Sequence, residues 1–370
     1  MKLKPFRLER YFAQYEFSAP YLLCCSDCES LSVGDLLKLE PNAQEELSSL
    51  WLGYTESLGS PELRTQIASL YHNISSGQII VHAGAEEAIF NFMNVVLEAG
   101  DHIIIHTPYY QSFGEVARSI GAEVTEWRGD PDRAWELDLQ FLEEHVTART
   151  KVVVVNFPHN PTGYLPNQEF LHELSDLSDK LGFLVFSDEV YRGLEYDPAE
   201  RLPAFADINE RAVSLGVMSK AYGLAGLRIG WVASRNKELF GALAAFKDYT
   251  TICNSAPSEY LATLALRHRH TIVERNLEII RHNLSLLASF FSRHQDLFVW
   301  HEPKAGPIAF PRYLGESVEQ FCAELVRDTG VLLLPGTLYG DGYDCFRIGF
   351  GRSNLAECLP KLEQFLVNYR

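Results

Sequence analysis

A lysine and an arginine lie eight positions apart in an apolar, glycine-rich stretch, MSKAYGLAGLRIGW (residues 218–231). A lysine that is solvated at the surface needs no such setting, because water already satisfies its ammonium group. A lysine kept as a nucleophile must be desolvated, and nearby cations lower its pKa further. The stretch therefore raises the hypothesis that Lys220 is a nucleophile with an anion held close by.

The segments around this stretch alternate between short β-rich runs and helical periodicity. Strands are predicted at residues 77–84, 101–110, 123–127, 151–158, 183–191 and 212–218. Helices are predicted between them, at residues 85–100, 111–121, 138–146 and 167–182. The run KVVVVNFP is apolar throughout, as is typical of a strand covered on both faces. The alternation predicts an α/β fold with a mainly parallel sheet and helices on both faces.

Residues with chemical potential follow these strands at the point where each strand ends. In open α/β sheets, ligands bind beyond the carboxyl ends of the strands, so these residues are candidates for one site. The turn Ala83-Gly84-Ala85-Glu86 begins a helix, where free backbone N–H groups and the helix dipole favour a phosphate. The other candidates are Tyr109 and Tyr110, Asn156 and Asn160, Asp188, Tyr191, Ser219, Lys220 and Arg228.

Each of these motifs alone also has a purely structural interpretation. The turn Asn160-Pro161-Thr162-Gly163 is favourable whatever its role, Asp188 could cap a helix or pair with an arginine, and the two tyrosines could be core aromatics. The glycine spacing of GLAGLRIG differs from the dinucleotide-binding fingerprint. Their occurrence in this order, each at a strand end, favours a shared function.

The pattern changes from about residue 257. Residues 258–294 read as one very long helix, followed by short strands within 297–302, 307–312 and 345–351 and by two further helices. This predicts a smaller α+β domain, with which the aromatic-rich first forty residues could pack. We therefore predict a large cofactor-binding domain over residues 45–256, and a small domain formed by residues 1–44 and 257–370.

Composition narrows the possible partners. The formal net charge of −17 argues against nucleic acid or an anionic membrane as the main partner. The N-terminus lacks the apolar region of a secretory signal, and no run of about 18 apolar residues predicts a membrane span. The seven cysteines are scattered, and the pair Cys25 and Cys28 lacks a second pair to complete a zinc site. We predict ordinary thiols, no metal and a cytoplasmic location.

Taken together, the motifs resemble those of the class I/II aminotransferases, fold-type I enzymes that depend on pyridoxal 5′-phosphate (PLP). The similarity runs from about residue 48 to the C-terminus and is densest over 77–231. The motifs that carry it are YTESLGSPELRTQIA, AGAEEAIF, TPYYQSF, NPTG, SDEVY, SKAYGLAGLRIGW and FRIGFG. The resemblance implies a large domain with a mainly parallel seven-stranded sheet flanked by helices, a smaller α+β domain, and PLP as cofactor.

The resemblance also implies roles around that cofactor. Lys220 would form the Schiff base and then move the substrate Cα proton. Asp188 would keep the pyridine nitrogen protonated, while Asn160 and Tyr191 would hydrogen-bond the 3′ oxygen. Tyr110 is the aromatic residue expected to stack on the ring. The phosphate ligands would be Arg228, Ser219 and the backbone of Gly84, Ala85 and Glu86.

Substrate and subunit contacts complete the implied site. Arg347 matches the arginine that grips the substrate α-carboxylate, and Asn160 is expected beside it. Tyr54 matches a tyrosine that reaches the phosphate of the neighbouring subunit, which implies a homodimer with shared active sites. The implied substrates are an L-amino acid and a 2-oxo acid.

Two features depart from the family pattern. Many relatives carry a hydroxyl residue three positions before the lysine, where this chain has Val217. The N-terminal block CCSDCESLSVGDLL (24–37) replaces a familiar motif. It is either a substrate loop, with Asp27, Glu29 and Ser30 as polar candidates, or an ordinary capped helix start. Acidic residues at the mouth of a pocket would favour a cationic amino acid.

The predicted function is an aminotransferase, and two alternatives stay open. A carbon–sulfur β-lyase or a biosynthetic cyclase or hydroxylase could use the same scaffold, because fold does not fix reaction. A non-catalytic effector module that senses the cofactor is the alternative from another class. The chain has no basic segment or helix-turn-helix extension to support it.

Overall fold

The computed structural model describes residues 2–369. Its strands are β1 (Tyr21–Leu22), β2 (Ile79–His82), β3 (His102–Thr107), β4 (Glu123–Arg128), β5 (Thr150–Asn156), β6 (Leu184–Asp188), β7 (Ala212–Val217), β8 (Gly230–Ala233), β9 (Phe298–Val299), β10 (Ile308–Ala309), β11 (Arg312–Tyr313), β12 (Val331–Leu332), β13 (Leu334–Pro335) and β14 (Phe346–Gly349).

The α-helices are α1 (Arg7–Tyr15), α2 (Val33–Leu37), α3 (Ala43–Ser48), α4 (Pro61–Ala68), α5 (Ala85–Val96), α6 (Ser112–Ile120), α7 (Gln140–His145), α8 (Gln168–Leu181), α9 (Phe205–Ile208), α10 (Lys237–Lys247), α11 (Ala256–Arg267), α12 (Arg269–Arg293), α13 (Val318–Thr329) and α14 (Leu355–Tyr369). Within residues 2–369, no helix is both long and apolar enough to cross a membrane.

Seven strands form the central sheet, in the order β2-β8-β7-β6-β5-β3-β4. Strand β8 runs antiparallel to both of its neighbours, and the other six run parallel to one another. Every residue of β2, β3, β7 and β8 is buried, which agrees with the mainly apolar composition of these segments. The predicted α/β fold with a mainly parallel seven-stranded sheet is confirmed. Strand β8 begins at the end of the stretch 218–231 and continues to Ala233, where the sequence predicted no separate strand.

Several predicted boundaries are wrong, and the chain shows why. The strand predicted over 101–110 ends at Thr107, because Pro108 follows and cannot donate to a sheet ladder. The helix predicted over 258–294 is two helices, α11 and α12, which meet at His268. Arg267 and His268 both bind the side chain of Glu40, so a residue far away in sequence fixes this break.

The N-terminal segment runs along the C-terminal part of the chain. Strand β1 pairs in parallel with β12. The residue after β1 binds β14, since the Gly349 N–H donates to Leu23 O at 2.7 Å. The Glu29 N–H donates to Gly351 O at 2.8 Å. These contacts support packing of the N-terminus with the C-terminal part, and the boundaries of the two domains stay a prediction. The pairing directs residues 24–27 toward the carboxyl edge of the central sheet.

Gly349 is the position where this arrangement leaves no space for a side chain. A Cβ added there would lie 1.9 Å from Cys25 O, a backbone atom that cannot rotate away. We therefore expect Gly349→Ala to lower the free energy of unfolding in urea by about 1–3 kcal/mol. Gly241→Ala is the control, because nothing lies within 4 Å of its added Cβ on exposed α10. Equal stability of the two variants would contradict this account of the segment.

Candidate active site

A cavity of about 440 Å³ lies beyond the carboxyl ends of β5, β6 and β7. The predicted site residues that line this central cavity are Ala85, Glu86, Tyr110, Asn160, Asp188, Tyr191, Ser219, Lys220, Arg228 and Arg347. A larger cavity of about 750 Å³, between Trp135 and Pro303, contains none of them. The structure therefore brings most of the predicted site together at one edge of the sheet.

Two predicted residues are not among those that line the central cavity. Gly84 lies directly behind the wall, because a Cβ added to it would be 2.5 Å from Arg228 Nη2. Tyr54 lies elsewhere, 86% exposed and beside the segment 253–257. Within one subunit, Tyr54 therefore contributes nothing to the cavity.

One end of the cavity presents groups suited to an anion. Gly84 caps the start of α5 at φ +88°, a conformation that glycine adopts without strain. Arg228 also has a positive φ, of +52°, and forms no ion pair with any described residue. Ser219 is buried beside it, while Val217 contributes an apolar wall. The helix start and the unpaired guanidinium together form a positive end.

Asp188 is a buried carboxyl group at the end of β6. Its Oδ1 accepts a hydrogen bond from the Val190 N–H at 3.2 Å, and no described Lys, Arg or His lies within ion-pair distance. Burial raises the pKa of Asp188 to about 7, while the Val190 N–H and Lys220 partly oppose this shift. The carboxyl therefore lacks the cationic partner that would keep it ionised.

The turn after β5 is fixed by Asn156. The Asn156 Oδ1 accepts from the Asn160 N–H at 2.7 Å, and its Nδ2 donates to Asp188 O at 2.8 Å. Nearby, the buried Tyr191 hydroxyl makes no hydrogen bond of good geometry. Burial raises the pKa of Tyr191, and Arg347 and Ser26 partly oppose that shift. An unsatisfied buried hydroxyl of this kind indicates a missing partner.

Lys220 reaches into the cavity from the end of β7. Its Nζ donates to Ser26 Oγ at 2.8 Å. Burial lowers the pKa of Lys220, Asp27 opposes that shift and Arg347 adds to it. A larger share of Lys220 is therefore uncharged, and nucleophilic, than at the surface.

Arg347, on β14, is only 2% exposed. Its Nε donates to Cys24 O at 2.9 Å, and its Nη1 donates to Tyr339 OH at 2.7 Å and to Asn160 Oδ1 at 3.3 Å. No carboxylate of the described residues pairs with it. Because a buried cation is costly unless it is paired, this arrangement is suited to receiving an anion.

Of the two tyrosines after β3, only Tyr110 lines the cavity. Its hydroxyl donates to Glu9 Oε1 at 3.1 Å. The Tyr109 hydroxyl instead accepts from Arg118 Nη1 at 2.9 Å, outside the cavity. Tyr110 is the residue that the family resemblance implies for ring stacking, and its position is compatible with that role.

One part of the block 24–37 fits the predicted substrate loop, and the other part fits the predicted capped helix start. Its Ser26 and Asp27 line the cavity, and Asp27 accepts two hydrogen bonds from Arg352 at 3.0 and 2.8 Å. Glu29 instead accepts from Ser353, and Ser32 caps α2 by accepting from the Asp35 N–H. Ser30 is exposed and does not line the cavity. The first part of the block thus forms cavity wall and the second part begins a helix.

Several residues that line the cavity were not predicted from the sequence. They are Leu8, Glu9, Phe12, Glu16, Ser26 and Arg352. A signal existed for the first four, since their spacing places them on one side of a helix. The first forty residues were too weakly patterned for that helix to be predicted.

Comparison with known proteins assigns the class. The family model for aminotransferase class I and II matches residues 26–359, so the chain belongs to this family of PLP-dependent enzymes. Capreomycidine synthase of Streptomyces vinaceus is 30% identical, over 97% of this chain and 91% of that protein.

Solved structures agree with this assignment. A PLP-dependent aminotransferase from Streptococcus suis superposes with a TM-score of 0.94 at 31% identity, over 100% of this chain and 99% of the other. The PLP-dependent cyclase OrfR superposes with a TM-score of 0.91 at 28% identity, over the same shares of the two chains. The fold is therefore that of the fold-type I PLP enzymes, and both transferring and cyclising enzymes share it.

The chain's own groups fit PLP. The unpaired Arg228 beside the start of α5 suits the phosphate, and the unpartnered carboxyl of Asp188 suits the protonated ring nitrogen. The unsatisfied Tyr191 hydroxyl suits the ring oxygen. Each group lacks a partner that PLP would provide.

The pKa of Asp188 gives a pH dependence for the cofactor-free protein. A carboxyl whose pKa is raised on folding does not alter stability below its unfolded pKa, near 4, and costs its full amount above its folded pKa, about 7. We expect the wild-type free energy of unfolding, relative to Asp188→Asn, to fall by a few kcal/mol from pH 4 to pH 8. Urea denaturation at each pH measures this difference. A constant difference over that range would contradict the buried, unpaired state of Asp188.

Proposed function

We propose that the protein is a PLP-dependent aminotransferase that exchanges the amino group of an L-amino acid with a 2-oxo acid through Lys220. The observation that carries this proposal is the position of Arg347 and Lys220 in one cavity. The buried, carboxylate-free Arg347 is suited to the α-carboxylate of the substrate. The amine of Lys220, whose pKa burial lowers, is suited to covalent attachment and proton transfer.

The other lining residues would hold the cofactor. Arg228, Ser219 and the backbone of 84–86 would bind the phosphate, and Tyr110 would pack on the ring. Asp188 would pair with the ring nitrogen, and Asn160 with Tyr191 would bind the ring oxygen. When bound, PLP withdraws electrons from the substrate Cα and carries the amino group between two half-reactions.

The proton transfers belong to the chain's own groups. Lys220 Nζ would take the proton from the substrate Cα and return it on the cofactor side, while Arg347 fixes the orientation of the Cα–H bond. Ser26 Oγ, 2.8 Å from Lys220 Nζ, would hold the amine in the cavity between these transfers. Asn160 contacts Arg347 Nη1, so the turn after β5 would orient the carboxylate ligand and the cofactor together.

A second candidate is cyclisation or β-elimination, which the similarity to a capreomycidine synthase and to a PLP-dependent cyclase favours. Both reactions begin with the same removal of the Cα proton. They diverge when a leaving group departs from the substrate carbon chain, and the cofactor end of the cavity is the same for both.

Product analysis separates these reactions. The cofactor-loaded protein is incubated with a panel of L-amino acids and no added oxo acid. Transamination should release one equivalent of 2-oxo acid per active site and no ammonia, whereas elimination should release ammonia over many turnovers and cyclisation should release neither. Lys220→Ala should reduce the rate by at least about 1,000-fold, because the proton acceptor is lost. Full activity of Lys220→Ala would reject a catalytic function that uses this lysine, whereas no turnover of any amino acid by the cofactor-loaded native protein would favour an effector module.

We also propose a homodimer in which Tyr54 completes the phosphate site of the partner. The chain exposes Trp51, Leu52, Tyr54 and Tyr249 by 77%, 76%, 86% and 90%, and such apolar exposure supports an interface. A cytoplasmic location belongs to the same proposal, and the seven free thiols support it.

Mixing two inactive variants tests the shared site. Tyr54→Ala should weaken cofactor retention, and Lys220→Ala should abolish turnover. After the two are unfolded and refolded together, a mixed dimer should contain one site with both native residues. We expect activity to return to about a quarter of wild type, since half of the dimers are mixed and half of their sites are intact. Absence of recovery, with dimers present in sedimentation, would contradict a Tyr54 that crosses the interface.

A further inference from the structure

We propose that the cavity selects an L-amino acid with a positively charged side chain, which Glu16, assisted by Glu9, would bind. This inference rests on the proposed function, since it takes the substrate carboxylate to lie on Arg347. Leu8, Glu9 and Phe12 line the central cavity from α1, and Glu16 lines it from the position directly after the helix. Their spacing places Glu9, Phe12 and Glu16 on one side of the helix.

Helix α1 is held firmly over the cavity. The Arg7 N–H donates to Gln111 Oε1 at 2.9 Å, and Gln111 Nε2 donates back to Pro5 O at 3.0 Å. Farther along, Tyr11 OH donates to Leu333 O at 2.9 Å. The two glutamates are therefore presented by a fixed helix and not by a loose N-terminus.

The cavity is a ligand site on grounds independent of these carboxylates. Tyr191, 1% exposed, has an unsatisfied hydroxyl, and Arg347, 2% exposed, has no carboxylate partner in the described chain. The Phe12 ring centroid lies 5.8 Å from Arg347 Cζ, so α1 covers the carboxylate end of the cavity. A substrate bound through Arg347 would have its side chain next to Phe12.

Of the carboxylates that line the cavity, Asp188 would pair with the cofactor ring nitrogen and Glu86 accepts a hydrogen bond from Ser112 Oγ, which leaves Glu9, Glu16 and Asp27 to be accounted for. Asp27 and Arg352 pair with each other through two hydrogen bonds, and Arg347 and Arg228 are matched by the substrate carboxylate and the cofactor phosphate. Glu9 and Glu16 form no ion pair with a described residue. Glu9 does accept from Tyr110 OH, whereas Glu16 accepts no hydrogen bond from a described side chain. The carboxylate of Glu16 is therefore more available than that of Glu9 to bind a cationic side chain.

The surroundings of Glu16 favour a cation beside it. Burial raises the pKa of Glu16, Arg352 and Lys220 oppose this, and Asp27 and Glu9 add to it. A cationic ligand would offset that cost, whereas a substrate with an acidic side chain would add a further like charge. Phe12 offers an apolar surface for the aliphatic stem of a lysine-like or arginine-like side chain.

Paired ligands test the charge without changing the shape. Binding to cofactor-loaded Lys220→Ala protein, which cannot turn over, is measured calorimetrically for L-lysine against L-norleucine and for L-arginine against L-citrulline. The specificity constant kcat/KM of the native enzyme is measured for the same four compounds. We expect the charged member of at least one pair to be favoured by about 10-fold or more, as for a hydrogen bond to a charged group.

Substitution then assigns the preference to Glu16. Glu16→Gln should remove most of the preference for the charged ligand and leave the neutral ligand unchanged, and Glu9→Gln should have a smaller effect. Glu173→Gln is the matched control, because Glu173 is exposed on α8 and far from the cavity lining. Glu16→Gln should also retain the cofactor, which its absorbance reports.

The outcomes separate this inference from the proposed function. Equal binding of charged and neutral ligands, or a Glu16→Gln variant that weakens both equally, would overturn the inference while amino-acid turnover stands. Absence of binding and turnover for every amino acid in the cofactor-loaded protein would overturn the proposed function itself.

Discussion

A buried guanidinium with no carboxylate beside it is the constraint around which the site is arranged. Arg347 is held by three neutral oxygens, from Cys24, Tyr339 and Asn160. These belong to the N-terminal segment, to the chain before β14 and to the turn after β5, so one side chain joins three distant parts of the sequence. Neutral acceptors satisfy the N–H groups without cancelling the charge. The remaining positive charge is what an α-carboxylate would neutralise.

The order of the strands explains which residues lie at the opposite edge of the same cavity. Asp188 ends β6 and Lys220 follows β7, and these strands are adjacent in the sheet. Because parallel strands place their carboxyl ends at one edge, a list of residues that follow strands was nearly a list of cavity residues. This part of the site, and the fold that positions it, could therefore be predicted from local patterns alone.

The other wall could not be predicted in that way. Ser26 reaches Lys220 because β1 pairs with β12 and the Gly349 N–H binds Leu23 O, which are contacts across about three hundred residues of sequence. No local periodicity encodes such pairings. The helix break at His268 has the same origin, since Glu40 fixes it from a distant segment. The spacing of residues in α1 could have indicated that one side of this helix is distinct, but not that this side would cover the cavity.

This division of the cavity bears on which reaction the protein catalyses. An aminotransferase and a cyclase both superpose closely on this chain, so the fold and the cofactor edge alone do not decide between the two reactions. In the proposed binding mode, the groups next to the substrate carbon chain would decide, and they would be Ser26 and Glu16 of the N-terminal segment with the Asp27–Arg352 pair. Since Asp27 and Arg352 pair with each other, the net charge of this part of the wall would be set by Glu9 and Glu16. A substrate that matches this charge would be held with its side chain against Phe12 and its Cα next to Lys220. Choice of substrate and choice of reaction would then depend on the same short segment.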